Sequence, residues 1–167
     1  RMLETQPVSV NLGSTDMLAQ YARVLDRGSK PMPKDRARLS LRVNPGFGHG
    51  HDRKVNTGGE TSKHGIWHED LPAAVAQAER LGLAVRGLHV HIGSGSDFEN
   101  LTRVCTALAR LAPVVGGSLD TISAGGGLPV PYRETEPRLD VARFTATWRE
   151  AHAAMQRDID RQLTLEV

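Results

Sequence analysis

The chain predicts an α/β fold: a parallel sheet of about five strands and four helices. Short apolar runs alternate with amphipathic stretches of helical length along its 167 residues, the pattern of repeated βα units with right-handed crossovers. Glycine and proline clusters punctuate the runs, as turns between such units require. The unusual residues gather where strands end, at Gly87–Ser96 (GLHVHIGSGS) and after Leu119–Ala124. Closed barrels and open doubly wound sheets both bind ligands at that end of their strands, and both arrangements fit the pattern. A closed eight-stranded barrel takes about 250 residues, so this chain reads as a piece of a larger enzyme.

Taken in order, Pro7–Asn11 begins a short strand through Val8 and Val10. Gly13-Ser14-Thr15-Asp16 then supplies turn and capping chemistry before Met17, Leu18, Tyr21, Val24 and Leu25 recur at helical spacing, with Gly28 as the stop. The polar connector Ser29–Arg36 leads to a buried strand, Leu39–Val43, which carries Arg42 near its end. Asn44–Ile66 reads as a long loop bearing six glycines and three histidines, His49, His51 and His64; a loop of that length inside a compact domain is usually functional or mobile. Asp70 is placed to cap a helix over Leu71–Leu81, which Gly82 ends. The central strand follows, then a helix from the N-cap Asp97 to Val115 with Leu101, Val104, Cys105, Leu108 and Leu111 on one face and Pro113 disturbing its last turn. Leu119–Ala124 is the next strand, Gly125–Tyr132 a proline-fixed loop, Val141–Ile159 the last helix, and Leu163–Val167 the start of another strand.

Composition narrows the function. A net charge of +2, scattered Lys and Arg and few aromatics give no basic stripe with stacking rings, which argues against a nucleic-acid partner. No apolar run is long enough to span a bilayer, and the first ten residues lack a signal peptide's apolar centre, so no membrane partner is expected. The single cysteine, Cys105, cannot pair within the chain and suits a reducing, cytoplasmic setting. On the apolar face of its helix it reads as an inert core thiol, and Trp67 and Trp148 as packing residues.

Side chains alternate along a strand, so His89 and His91 share one face while Leu88, Val90 and Ile92 take the other. The loop Gly93-Ser94-Gly95-Ser96 and the run Gly125-Gly126-Gly127 each present backbone amides at a strand end, and two such neighbouring loops favour one shared phosphate over two unrelated turns. The histidine pair admits three readings: a catalytic metal site of the barrel-hydrolase kind, rings stacked on a flat cofactor, or hydrogen-bonded core residues. A metal needs further ligands, and neither adjacent strand tip offers a convincing one. Arg42 is either a ligand-facing cation or half of a salt bridge across the interior. His49, His51, His64 and His68 lack the cysteines and spacing of a zinc site, and a solvated loop describes them better.

Three motifs in register, RVNPGFGHGHDRKVNTGGETSKHGI (Arg42–Ile66), GLHVHIGSG (Gly87–Gly95) and ISAGGGLPVPY (Ile122–Tyr132), together with Asn11–Leu18 before them, resemble the diaminopimelate decarboxylases, pyridoxal-phosphate enzymes of the alanine-racemase-like fold. The resemblance covers essentially the whole chain. It implies a partial (β/α)8 TIM-type barrel holding strands four to eight, within a protein that adds earlier barrel strands and a C-terminal β-rich domain. It also implies pyridoxal 5'-phosphate as cofactor, an amino-acid substrate, and homodimers whose sites use both subunits. Carried over by motif, His91 stacks on the pyridine ring, Ser94 and the amides of Gly125, Gly126 and Gly127 hold the phosphate, and Arg42 lies beside the cofactor. Lys63 and His64 fall in the family's S-K-x-G-I motif near the active-site mouth, where His64 replaces the usual phenylalanine. The family's Schiff-base lysine falls upstream of Arg1, and the acidic residue contacting the pyridine nitrogen belongs to an E-P-G-R motif expected after Val167, so Glu166 is not that residue. No catalytic residue for the Schiff base is therefore present, and the isolated chain is expected to be inactive. The activity implied for the parent is decarboxylation of meso-diaminopimelate to L-lysine, the last step of lysine biosynthesis. Alternatives are a decarboxylase of the same fold acting on arginine, ornithine or a carboxylated polyamine such as carboxynorspermidine, a non-catalytic cofactor-binding module, and a metal-dependent hydrolase using His89 and His91.

Overall fold

A computed structural model describes residues 9–27, 38–48, 58–93, 98–126, 131, 133–135 and 138–166. Strand β1 (Ser9–Leu12) leads to helix α1 (Thr15–Arg27), then β2 (Arg38–Asn44), the two-residue β3 (Ile66–Trp67) and a 3-10 turn over His68–Asp70. Helix α2 (Leu71–Arg80), β4 (Val85–Val90), α3 (Phe98–Val115), a 3-10 turn over Gly116–Ser118, β5 (Thr121–Ser123), α4 (Val141–Asp158) and β6 (Thr164–Glu166) complete the order.

The longer strands lie side by side in chain order, β1-β2-β4-β5-β6, and every pairing is parallel. A doubly wound sheet reverses direction at a switch point; no reversal occurs among the described strands. Each βα unit instead adds its strand beyond the last, the winding of a (β/α)8 barrel. The expected α/β fold, with about five parallel strands and four helices, is the observed one, and the winding resolves the choice between barrel and open sheet.

Alternation assigns the two faces. Leu39, Leu41 and Val43 of β2, Leu88 and Val90 of β4 and Ile122 of β5 are buried and pack in one cluster with Leu18 and Leu25 of α1, Leu71 and Ala78 of α2, Leu108 and Ala112 of α3, and Met155 of α4. The other face is polar. Register places Ser40 beside Gly87 and Gly87 beside Thr121, with Thr164 next, and one level higher Arg42 beside His89, His89 beside Ser123 and Ser123 beside Glu166. The register shifts between Leu39 and Ser40, and this keeps the apolar and polar rows aligned across β2 and β4. Gly87 lies against the Ser40 side chain, so a larger residue there would oblige the Ser40 hydroxyl to turn away.

Several expectations need correction. Asp70 does not cap α2: it has helical backbone angles, makes no side-chain cap bond, and ends the 3-10 turn, while Pro72 in the first turn of α2 removes one amide that needs a partner. Helix α3 does reach Val115 as expected, with Pro113 inside its last turn and a 3-10 turn directly after it. The loop after β2 contains a strand, β3, whose Ile66 and Trp67 pair with Val43 and Asn44. In α1 the buried set is Leu18, Tyr21, Ala22 and Leu25, whereas Met17 and Val24 face outward at 41% and 55% exposure. A cap the residues foreshadow less plainly starts α4, where Asp140 Oδ1 accepts from the Arg143 amide at 2.9 Å. Pro7, Val8, Gly28, the connector Ser29–Arg36, His49, His51, Asp97 and Val167 lie outside the described residues.

Leu88 is fully buried and Val141 is 64% exposed. Leu88→Ala is expected to lower unfolding free energy by about 2–5 kcal/mol, and Val141→Ala to change it by less than about 0.5 kcal/mol. Urea denaturation of the full-length polypeptide carrying each change measures the contrast.

Candidate cofactor site at the strand ends

Arg42 sits one level below the end of β2, and its Nη2 donates to the carbonyl oxygen of His91 at 3.4 Å. It has no ion pair among the described residues. Burial lowers the Arg42 pKa. His89, beside it in register, faces the same polar side, and its Nδ1 lies 3.1 Å from Ser123 Oγ of β5. Burial, then the charge of Arg42 and then His91, brings the His89 pKa down to about 4. At neutral pH His89 is thus an uncharged ring bonded across the strand pair.

His91 follows β4 directly. Its pKa is lowered by burial first and then by Arg42, is raised by a hydrogen bond with the Gly125 backbone, and is lowered further by His64. Geometry brings Arg42, His89, His91 and Gly125 together: Arg42 bonds the His91 carbonyl and lies beside His89 in register, and Gly125 backs onto His91. Lys63 is exposed and His64 half-buried, and the His64 amide donates to Ser62 Oγ at 3.2 Å.

Gly125 and Gly126 end β5 with φ of +76° and +68°, angles that favour glycine because they crowd a Cβ against the backbone. The two face different surroundings. A Cβ on Gly125 would stand 2.5 Å from the Val90 carbonyl oxygen and 2.8 Å from His91 Cβ, whereas one on Gly126 would meet no described residue within 4 Å. Gly125 is therefore clamped against the end of β4, and Gly126 is not. Their backbone amides follow the strand end beside His91, and amides at such an end can take part in binding an anion. An imidazole ring, a guanidinium and this amide-bearing turn at one strand end fit a flat cofactor with a phosphate. Ser94 and Gly127, assigned to the same phosphate from sequence, lie outside the described residues.

Among the described residues no three His, Cys, Asp or Glu side chains come together as a metal would need. His68 lies against Trp67, the two rings tilted by 38° with centroids 4.7 Å apart. Cys105 is buried and its thiol pushed up to about 11 by desolvation, which agrees with an inert core residue. Trp148 is buried in the core, while Trp67 reaches the surface and donates from Nε1 to Glu69 at 3.3 Å.

Two residues escaped the sequence reading. Ser123 becomes visible once strand alternation is set opposite His89. Asn44 is 3% exposed, and its Oδ1 accepts from the Gly46 amide at 3.1 Å, a local Asx bond that an Asn before Pro-Gly signals. No helix among the described residues is long and apolar enough to cross a membrane.

Comparison with known proteins agrees with this geometry. All 167 residues match the family described as pyridoxal-dependent decarboxylase, pyridoxal binding domain. Diaminopimelate decarboxylase of Escherichia coli K12 is 45% identical over the whole chain, which spans 37% of that protein's length. A crystal structure of a diaminopimelate decarboxylase superposes with a TM-score of 0.82 at 46% identity, over 96% of this chain and 36% of that one. A Helicobacter pylori diaminopimelate decarboxylase mutant complexed with L-lysine shares the fold, with a TM-score of 0.75 at 23% identity over 95% of this chain and 39% of that one.

Because His89 has a folded-state pKa near 4 against about 6.5 unfolded, the unfolded chain binds the extra proton between those values. The contribution of His89 to stability is therefore complete above about pH 6.5 and is lost as the pH falls toward 4. Urea midpoints of the full-length polypeptide at pH 7 and pH 5 are expected to differ less for His89→Gln than for wild type.

Proposed function

The chain belongs to the pyridoxal-binding domains of the pyridoxal-dependent decarboxylases, and from that membership we propose that it forms the cofactor-cradling part of a diaminopimelate decarboxylase. The reaction is removal of CO2 from meso-diaminopimelate to give L-lysine. One observation carries the reading: the turn through Gly125 and Gly126 and the ring of His91 meet at one strand end, in a chain 45% identical throughout to a diaminopimelate decarboxylase. The chain spans a little over a third of such relatives, so the other barrel strands, a β-rich domain and a second subunit complete the active protein, in the reducing cytoplasm that its one buried thiol suits.

Bound pyridoxal phosphate supplies an electron sink for the pair left behind when the carboxylate departs. The protein's work is to hold and orient. His91 would stack on the pyridine ring, its own ring fixed by the hydrogen bond with the Gly125 backbone. The amides of Gly125, Gly126 and Gly127, with Ser94, would hold the phosphate. Arg42, bonded to the His91 carbonyl, lies beside the cofactor and adds positive charge. His89 stays neutral and bonded to Ser123, so it braces β4 against β5 without competing for the anion. Lys63 and His64 stand at the mouth, where the amino-acid substrate enters.

The deciding measurement is CO2 release by the full-length polypeptide with pyridoxal phosphate, offered meso-diaminopimelate, arginine and ornithine. Release from diaminopimelate alone is expected; release only from another amino acid moves the substrate assignment, and no cofactor binding overturns the reading. In the same protein His91→Ala is expected to weaken cofactor retention by roughly threefold to tenfold, as loss of an aromatic stacking contact of about 0.5–1.5 kcal/mol implies, and to lower turnover. Cofactor content equal to wild type would refute the stacking role. Gly125→Ala forces a Cβ against the Val90 carbonyl, and its cofactor retention, read by absorbance after dialysis, is expected to fall as well.

A further inference from the structure

Asn44 closes β2 two residues beyond Arg42, and its carboxamide is one of the few polar side chains buried among the described residues. Besides the bond from Gly46, it exchanges two bonds with a single distant residue. Nδ2 donates to the Gly59 carbonyl oxygen at 2.9 Å, and Oδ1 accepts from the Gly59 amide at 2.9 Å. A side chain paired in both directions with one residue's backbone imitates the two-bond exchange between antiparallel strands, and so fixes that backbone in position and in orientation.

The segment that starts at Gly59 returns to the same strand. Gly65 has φ of +85° and lies so near β2 that a Cβ on it would stand 2.8 Å from the Asn44 nitrogen and 3.2 Å from the Arg42 carbonyl oxygen. Residues 59–65 thus form a small loop tied at one end by the Asn44 side chain and at the other by contact with the Arg42–Asn44 backbone. Within it the Ser62 amide donates to the Gly59 carbonyl oxygen at 3.1 Å, and Ser62 Oγ accepts from the His64 amide. The loop carries Lys63 and His64, and His64 is, after Arg42, one of the groups that lower the His91 pKa.

We propose that Asn44 is a positioning residue for substrate binding: it latches the 59–65 loop so that His64 forms a fixed wall at the mouth of the cofactor site. The inference rests on the decarboxylase reading for its substrate, and on geometry alone for the latch. Asn44 touches neither cofactor nor substrate and acts through His64.

The test uses the full-length polypeptide loaded with pyridoxal phosphate and four variants: Asn44→Ala, Asn44→Asp, His64→Ala and the double Asn44→Ala/His64→Ala. Amide hydrogen exchange of a peptide covering 59–65 is compared with one from α3, alongside KM and kcat for meso-diaminopimelate. Asn44→Ala is expected to speed exchange in the loop by about tenfold, the factor that one or two lost hydrogen bonds represent, and to leave α3 unchanged. KM is expected to rise with little change in kcat, and the double variant to have the KM of His64→Ala alone, because coupled residues are non-additive. Unchanged loop exchange, acceleration equal in α3, or effects on KM that multiply would each overturn the proposal. If Asn44→Ala fails to fold, Asn44→Asp, which keeps the acceptor and loses the donor to Gly59, decides the same points. A wild type inactive on diaminopimelate would remove the substrate reading, and the exchange comparison would still accept or reject the latch.

Discussion

The structure depends on one-sided burial of a parallel sheet. Parallel strands covered on both faces by apolar layers read as continuous hydrophobic runs, yet β2 and β4 alternate. Leu41, Leu88 and Ile122 go under the helices, and the positions between them, Arg42, His89 and Ser123, share the opposite face in register. Hydrophobic burial is satisfied on the helix side, which leaves the inner face available to groups that cost free energy to bury. The candidate site is the top of that inner face, where the strands end and the backbone turns away.

Charge on this face is sparse: Arg42 stands at one end of the polar row and Glu166 of β6 at the other. Arg42 keeps its cation near two histidines, and burial together with that cation holds His89 neutral. A neutral imidazole bonded to a hydroxyl stiffens the wall without adding charge, while the positive-φ turn at Gly125 and Gly126 offers backbone dipoles. Such a surface suits a ligand with a flat ring and an anionic tail, held by stacking at one end and by amides and nearby positive charge at the other.

Much of this was legible in the residues. Alternation around His89 and His91 placed both rings on one face, and the apolar spacing of Leu101, Val104, Cys105, Leu108 and Leu111 identified the buried side of α3. What escaped depended on partners distant in sequence. Asp70 had a capping residue's identity but sits in a 3-10 turn that sets its backbone otherwise. The role of Asn44 requires knowing that Gly59, fifteen residues away, comes back to it, and the pairing of His89 with Ser123 requires the strand register. Winding could not be read either, because closed and open parallel sheets share one local pattern and differ only in the side on which each strand is added.

The polar inner face also bears on how such a ring assembles. The apolar cluster is already closed between sheet and helices along β1 to β6, so adding strands at the two edges contributes peptide hydrogen bonds and little new apolar contact on the inside. Among the described strands β1 and β6 are the edges of the sheet, and an edge strand presents backbone N–H and C=O groups that a further strand can take up.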